Sequence, residues 1–178
     1  MSDGRAVPSG SDALNRSLEA GTAAFDGDGD FYFVPFVSPV LGEAGANKPW
    51  LQETPDPTTT VMWNTWIEMH PATADSLGIE DQDVIRLVSA AGAVEATVYR
   101  YPGIRPDTVA MPFGQGHTAY GQYAQGRGAN PLDLLSSTLN GAGDLAFGAT
   151  KVRVEKTGRK QELARQESAL GVYGFDAR

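Results

Sequence analysis

Six short apolar runs, in most of which side chains alternate with a period of two, mark this chain, and no βα unit repeats between them. The runs are Phe31–Val34, Val61–Met69, Asp83–Ser89, Val94–Tyr101, Thr108–Phe113 and Thr150–Glu155. Alternation predicts half-buried strands, because successive side chains point to opposite faces. It places Val61, Trp63, Ile67 and Met69 on one face of the second run and Val94, Ala96 and Val98 on one face of the fourth. In the third run Val84 and Val88 oppose Ile85 and Leu87. Six short strands without crossover helices favour a mainly β chain closed into a small barrel, which leaves no strand edge exposed.

The spacing predicts a short helix starting at Pro71, capped by His70 and ended by Leu77-Gly78. A second helical turn is predicted from Asn130-Pro131 through Leu135. Two connections, Ser38–Thr60 and Gly114–Ala129, exceed the roughly 15 residues beyond which loops are usually functional or disordered. The second holds five glycines, one arginine and no acid, and no carboxylate lies between Thr108 and Leu132. Exposed backbone N–H groups without nearby negative charge suit an anionic ligand such as pyrophosphate.

A length of 178 residues fits one domain with a real core. Residues 1–30 read as a flexible acidic linker or tail, 31–157 as the packed domain, and 158–178 as a polar C-terminal tail with a weak helical tendency around Glu162–Leu170. The net charge of −8 argues against a nucleic-acid partner. No apolar run reaches the roughly 18 residues of a membrane helix, and the polar start leads into no signal-peptide core. With no cysteine the chain itself holds no disulfide, thiolate zinc site, cysteine nucleophile or iron–sulfur cluster. Two histidines, His70 and His117, exclude a multi-histidine metal site within it.

Gly114-x-Gly116-x-x-Ala119, with Asp133 beyond it, matches the dinucleotide fingerprint but lacks the helix and βαβ unit that the fingerprint needs. Asp26-x-Asp28-x-Asp30 opens like a calcium loop but has Phe31 and Val37 where glycine and glutamate are required. His117, beside Thr118 and Tyr120, reads equally as a donor to a ligand and as a loop histidine bonded to backbone. Asn130 divides in the same way between helix cap and ligand contact. Trp63 and Trp66 read as barrel packing, whereas Trp50, in a loop, is the better contact candidate. No nucleophile, base and acid assemble, so no catalytic residue and no metal ligand is assigned.

Three segments run in the order and spacing of a known domain: Glu68-Met-His-Pro-Ala-Thr-Ala-Asp-Ser-Leu-Gly-Ile-Glu-Asp-Gln-Asp-Val84, Gly103-Ile-Arg-Pro-Asp-Thr-Val-Ala-Met-Pro112 and Gly114–Leu135. They resemble the C-terminal molybdopterin-dinucleotide-binding domain of the dimethyl sulfoxide reductase family. Asn47-Lys-Pro-Trp-Leu-Gln-Glu-Thr-Pro-Asp-Pro57 and Met111-Pro-Phe-Gly-Gln-Gly-His-Thr-Ala-Tyr-Gly121 are similar to the large iron–sulfur/molybdopterin subunits of polysulfide reductase-like and alternative complex III-like systems.

The resemblance implies a six-stranded double-psi β-barrel that caps a bound molybdopterin guanine dinucleotide, with molybdenum and iron–sulfur chemistry in other domains. It implies contacts from Ser38, Asn47, Trp50 and Gln52 in the first long loop and from Gly114, Gln115, Gly116, His117, Tyr120 and Asn130 in the second. The implied partners are the remaining domains or subunits of the oxidoreductase, including an iron–sulfur subunit, on the outer face of the cytoplasmic membrane without direct insertion. Some relatives keep the barrel without the cofactor, as structural modules of membrane-bound quinol-oxidising complexes, which is the alternative function. The usual Asp-Gly-Asp turn is here Asp81-Gln82-Asp83, so a left-handed Gln82 is strained by about 1–2 kcal/mol.

Overall fold

The computed structural model describes residues 25–140 and 143–166. Most of the acidic segment 1–30 and the end of the C-terminal segment lie outside the described residues. The alternating runs become β1 (Phe31–Val37), β2 (Trp66–Met69), β3 (Asp83–Val88), β4 (Ala93–Arg100), β5 (Thr108–Phe113) and β6 (Lys151–Lys160). Two short helices, α1 (Pro49–Gln52) and α2 (Pro71–Leu77), and a 3-10 turn over Pro131–Leu134 join them. The strand order is β1-β5-β2-β4-β3-β6, and β6 pairs with β1 as well as β3, so the six-stranded sheet closes on itself. β1 with β5 and β2 with β4 run parallel, and the other neighbours antiparallel.

The inward residues Phe33, Ile67, Met69, Ile85, Leu87, Val98, Val109, Met111 and Val152 form one fully buried cluster. Pro35 sits mid-strand because of which way its nitrogen faces. The neighbouring odd-numbered residue Phe33 donates its N–H to Thr150, on the β6 side, while Tyr32 donates to Asp107, on the β5 side. β6 pairs only with Phe31 and Tyr32, so the N–H that Pro35 lacks would have met no strand.

Two expected strands differ from what forms. The run from Val61 pairs in the barrel only from Trp66, because Thr60 and Trp63 each have φ of 60° and break the pleat. Val61 then packs with Trp66 and Leu163 outside the barrel, not beside Ile67 and Met69. β6 runs on to Lys160 opposite β3, past the expected Glu155. The helical tendency around Glu162 yields to tertiary bonding over its described part. Met62 N–H donates to Ala164 O, Gln166 N–H donates to Thr60 O, and Arg165 bridges to Val61. At the other end, Asp26 donates its N–H to Ala149 and accepts from Lys151.

Local signals hold. His70 Nδ1 accepts from Ala72 N–H at 3.1 Å, and Gly78 ends α2 with φ of 62°. Gln82 has φ of 70°, the left-handed conformation in which a side chain is strained. Gln82→Gly is therefore expected to raise stability by about 0.5–1 kcal/mol, the relief of strain exceeding the backbone entropy that glycine adds to the unfolded chain. Urea denaturation of the two chains checks this.

On β2, Glu68 lies buried with Trp66 Nε1–H donating to its Oε1 at 3.1 Å. Burial raises its carboxyl pKa above the ordinary value, the Trp66 bond opposes the rise, and the Asp56 charge adds to it. A carboxyl whose folded pKa is raised costs stability as pH climbs from its unfolded pKa through its folded one. Glu68→Gln keeps an oxygen for Trp66 and removes the charge. It is expected to melt a few degrees higher at pH 7, with the gain shrinking to nothing below pH of about 4, where glutamate is protonated in both states. Melting curves of both chains at the two pH values check it.

Candidate functional site

The ends of β1 and β5 and the start of β2 lie at one end of the barrel, since β1 and β5 are parallel and β2 runs against β5. The two long loops leave from this end and are sewn together. Gln52 Nε2 donates to Ala46 O at 2.7 Å, and its Oε1 accepts from Gln115 Nε2 at 3.1 Å. Asn47 Oδ1 accepts from Tyr123 N–H at 3.1 Å, and Tyr120 Oη donates to Ala44 O at 3.4 Å. Thr65 Oγ1 accepts from Ala129 N–H and donates to Ala129 O, tying the start of β2 to the end of the glycine loop.

Glycines allow this approach. A Cβ on Gly114 would stand 2.7 Å from Gly42 O, one on Gly121 2.3 Å from Asn47 Nδ2, and one on Gly128 2.4 Å from Thr65 Oγ1. Thr118, Ala119, Tyr120, Gly121 and Gln122 form an exposed arc whose backbone N–H groups make no bond within the described residues.

Gly114, Gln115, Gly116, His117 and Asn130 line one cleft of about 340 Å³ with Glu43, Phe113, Leu132 and Phe147. Gln115 and Phe113 also border a narrow gap lined by Ser38, Gln52, Trp63, Asn64 and Thr65. Several of these side chains are already engaged. Ser38 Oγ accepts from Leu41 N–H at 3.1 Å. Asn130 caps the 3-10 turn through Leu132 N–H and donates to Asp133. His117 Nε2 lies 3.2 Å from Gly114 O, and its ring centroid is 4.8 Å from that of Tyr120. Trp50 is 64% exposed on α1 and lines none of these spaces.

Gln115 differs from the rest. It is buried, and its Oε1 has no partner. Turning the amide over would bring its oxygen against Gln52 Oε1, which is itself fixed because Gln52 Nε2 is committed to Ala46 O. The relay Ala46–Gln52–Gln115 therefore leaves one buried acceptor in need of an N–H or O–H donor.

A domain model described as "Molydopterin dinucleotide binding domain" matches residues 50–140. The chain belongs to this family. It is 36% identical over 121 residues to the molybdopterin-containing subunit of arsenate respiratory reductase from Shewanella sp. (strain ANA-3), covering 62% of this chain and 14% of that subunit. It is 36% identical over 81 residues to the molybdopterin-binding-like subunit of menaquinone reductase from Nitratidesulfovibrio vulgaris, covering 46% of this chain and 12% of that one. Acetylene hydratase from Pelobacter acetylenicus shares the fold, with a TM-score of 0.53 over 71% of this chain and 18% of that protein, at 16% identity.

Sequence reasoning missed Thr65, whose run read as a continuous strand, and the pairing of Trp63 with Arg127, whose guanidinium carbon lies 4.5 Å from the centre of the indole. Arg127 carried a usable signal as the lone arginine in a stretch without acids. Trp63 carried none, because nothing local announces a left-handed tryptophan.

Proposed function

We propose that this chain is the molybdopterin guanine dinucleotide-binding cap of a molybdenum-dependent oxidoreductase, with its closed sheet a double-psi barrel. The catalytic and iron–sulfur domains would belong to the rest of the protein or complex. The observation that carries this reading is the orphaned acceptor of Gln115, fixed in orientation by Gln52 and set beside a glycine loop that exposes unbonded amides. Pterin and guanine rings both carry amino and ring N–H donors suited to such an acceptor. When bound, the cofactor would supply the redox-active metal centre, held elsewhere. This chain's residues would bind and orient its organic part: Gln115 accepts from a ring N–H, the arc from Thr118 to Gln122 donates to oxygens, and the stitched loops cover it.

The test is the molybdenum and pterin content of the native complex containing this chain, isolated, denatured, oxidised and read by pterin fluorescence with metal analysis. Pterin and molybdenum stoichiometric with the chain are expected. Gln115→Leu is expected to lower both several-fold while the barrel keeps its fold by circular dichroism. An intact complex without either component would instead identify a cofactor-free structural module.

A further inference from the structure

Arg127 is the single arginine or lysine between Thr108 and Leu132, and it makes no ion pair among the described residues. Lys48, Arg86, Lys151, Arg153 and Lys156 also lack one, and what sets Arg127 apart is its place over the indole of Trp63 on the wall of a cleft. Trp63 holds a backbone conformation that bulky side chains rarely adopt, φ of 60°, and its N–H donates to Gln52 O at 3.2 Å. Such strain persists where the surroundings over-determine it, and it concentrates at ligand clamps. With Asn64, Thr65, Gly126, Gly128 and Ala129 the pair walls a second, strongly polar cleft of about 310 Å³, separate from the one that His117 and Asn130 line. One carboxylate, Glu95, faces this cleft, and Arg159 pairs with it.

We infer that Arg127, presented on Trp63, holds the phosphate oxygens of the dinucleotide's pyrophosphate. This rests on the function proposed above and names the residue that takes the charge of the ligand. A guanidinium is a planar fork of donors that matches two phosphate oxygens at once. Stacking on an indole fixes that plane while leaving the N–H edge open. The one carboxylate on the cleft, Glu95, is engaged by Arg159, so Arg127 keeps its donors for a ligand.

The experiment is calorimetric titration of the 178-residue chain with GDP and with guanosine, at low and high salt. The native chain is expected to prefer GDP about tenfold or more, the yield of charge-assisted hydrogen bonds, and salt is expected to erode the preference. Arg127→Gln should abolish the preference while guanosine binds as before, and Arg127→Lys should keep part of it, because an ammonium brings charge without the fork. Trp63→Asn, which accepts a left-handed backbone but gives no platform, should fall between. Melting curves close to native would show that these variants are folded. Arg127→Gln that retains the full GDP preference would overturn the inference and leave the proposed function standing. A native chain that binds neither probe would also overturn the inference, and the proposed function would fall only if the native complex held neither pterin nor molybdenum.

Discussion

Gly116→Ala is expected to destabilise the chain by about 3 kcal/mol or more and to lower its melting temperature by about 6–12 °C. Gly116 has φ of 86°, where a side chain alone costs about 1–2 kcal/mol. A Cβ there would also stand 2.2 Å from Asn130 N and 2.5 Å from Ala129 C, both backbone atoms. Neither can swing aside like a side chain, since Ala129 is clamped by Thr65 and Asn130 begins the 3-10 turn. Gly126 is the control. Its φ is 69°, yet nothing lies within 4 Å of an added Cβ, so Gly126→Ala should cost the strain only. Equal losses for the two variants in urea denaturation would show that crowding at Gly116 contributes nothing.

Phe33→Ala is the other large effect, expected at about 3–5 kcal/mol, the range for deleting a buried aromatic ring. Phe33 is fully buried in the middle of β1, and its own N–H is bonded across to Thr150. Neighbours on five other strands converge on the same space, so the barrel cannot collapse to fill the cavity without shifting its ring of strands. The denaturation midpoint should fall with little change in slope. A loss under about 1 kcal/mol would mean that the barrel interior repacks freely.

What the sequence disclosed about this fold was the local part. His70, Gly78 and Asn130 act through their immediate neighbours, so cap chemistry is readable, whereas the left-handed Gln82 is legible only through the family's Asp-Gly-Asp turn. Alternation overextends the strand from Val61, since the pattern continues through Trp63 although the backbone does not. β6 was cut short because Lys156–Lys160 are polar, yet β3 supplies them with a partner strand. The site divides in the same way. Glycine spacing and missing acids located the second loop, but whether an amide such as Asn47 faces a ligand or another loop is decided by residues about 76 positions away. Gln115 and Asn130 look equivalent on paper. Only the fold spends both ends of Asn130 and leaves one end of Gln115 free.

The seams between the two long loops bear on how this domain tolerates exchange with its relatives. Ala44, Asn47 and Gln52 on one side answer Tyr120, Tyr123 and Gln115 on the other, with no covalent link and residues 61–113 of the barrel between them. The pair is therefore a single unit of inheritance split across the chain. A chimera that imports one loop alone breaks three matched contacts, whereas one that imports both carries its own stitching to any barrel of the same strand order.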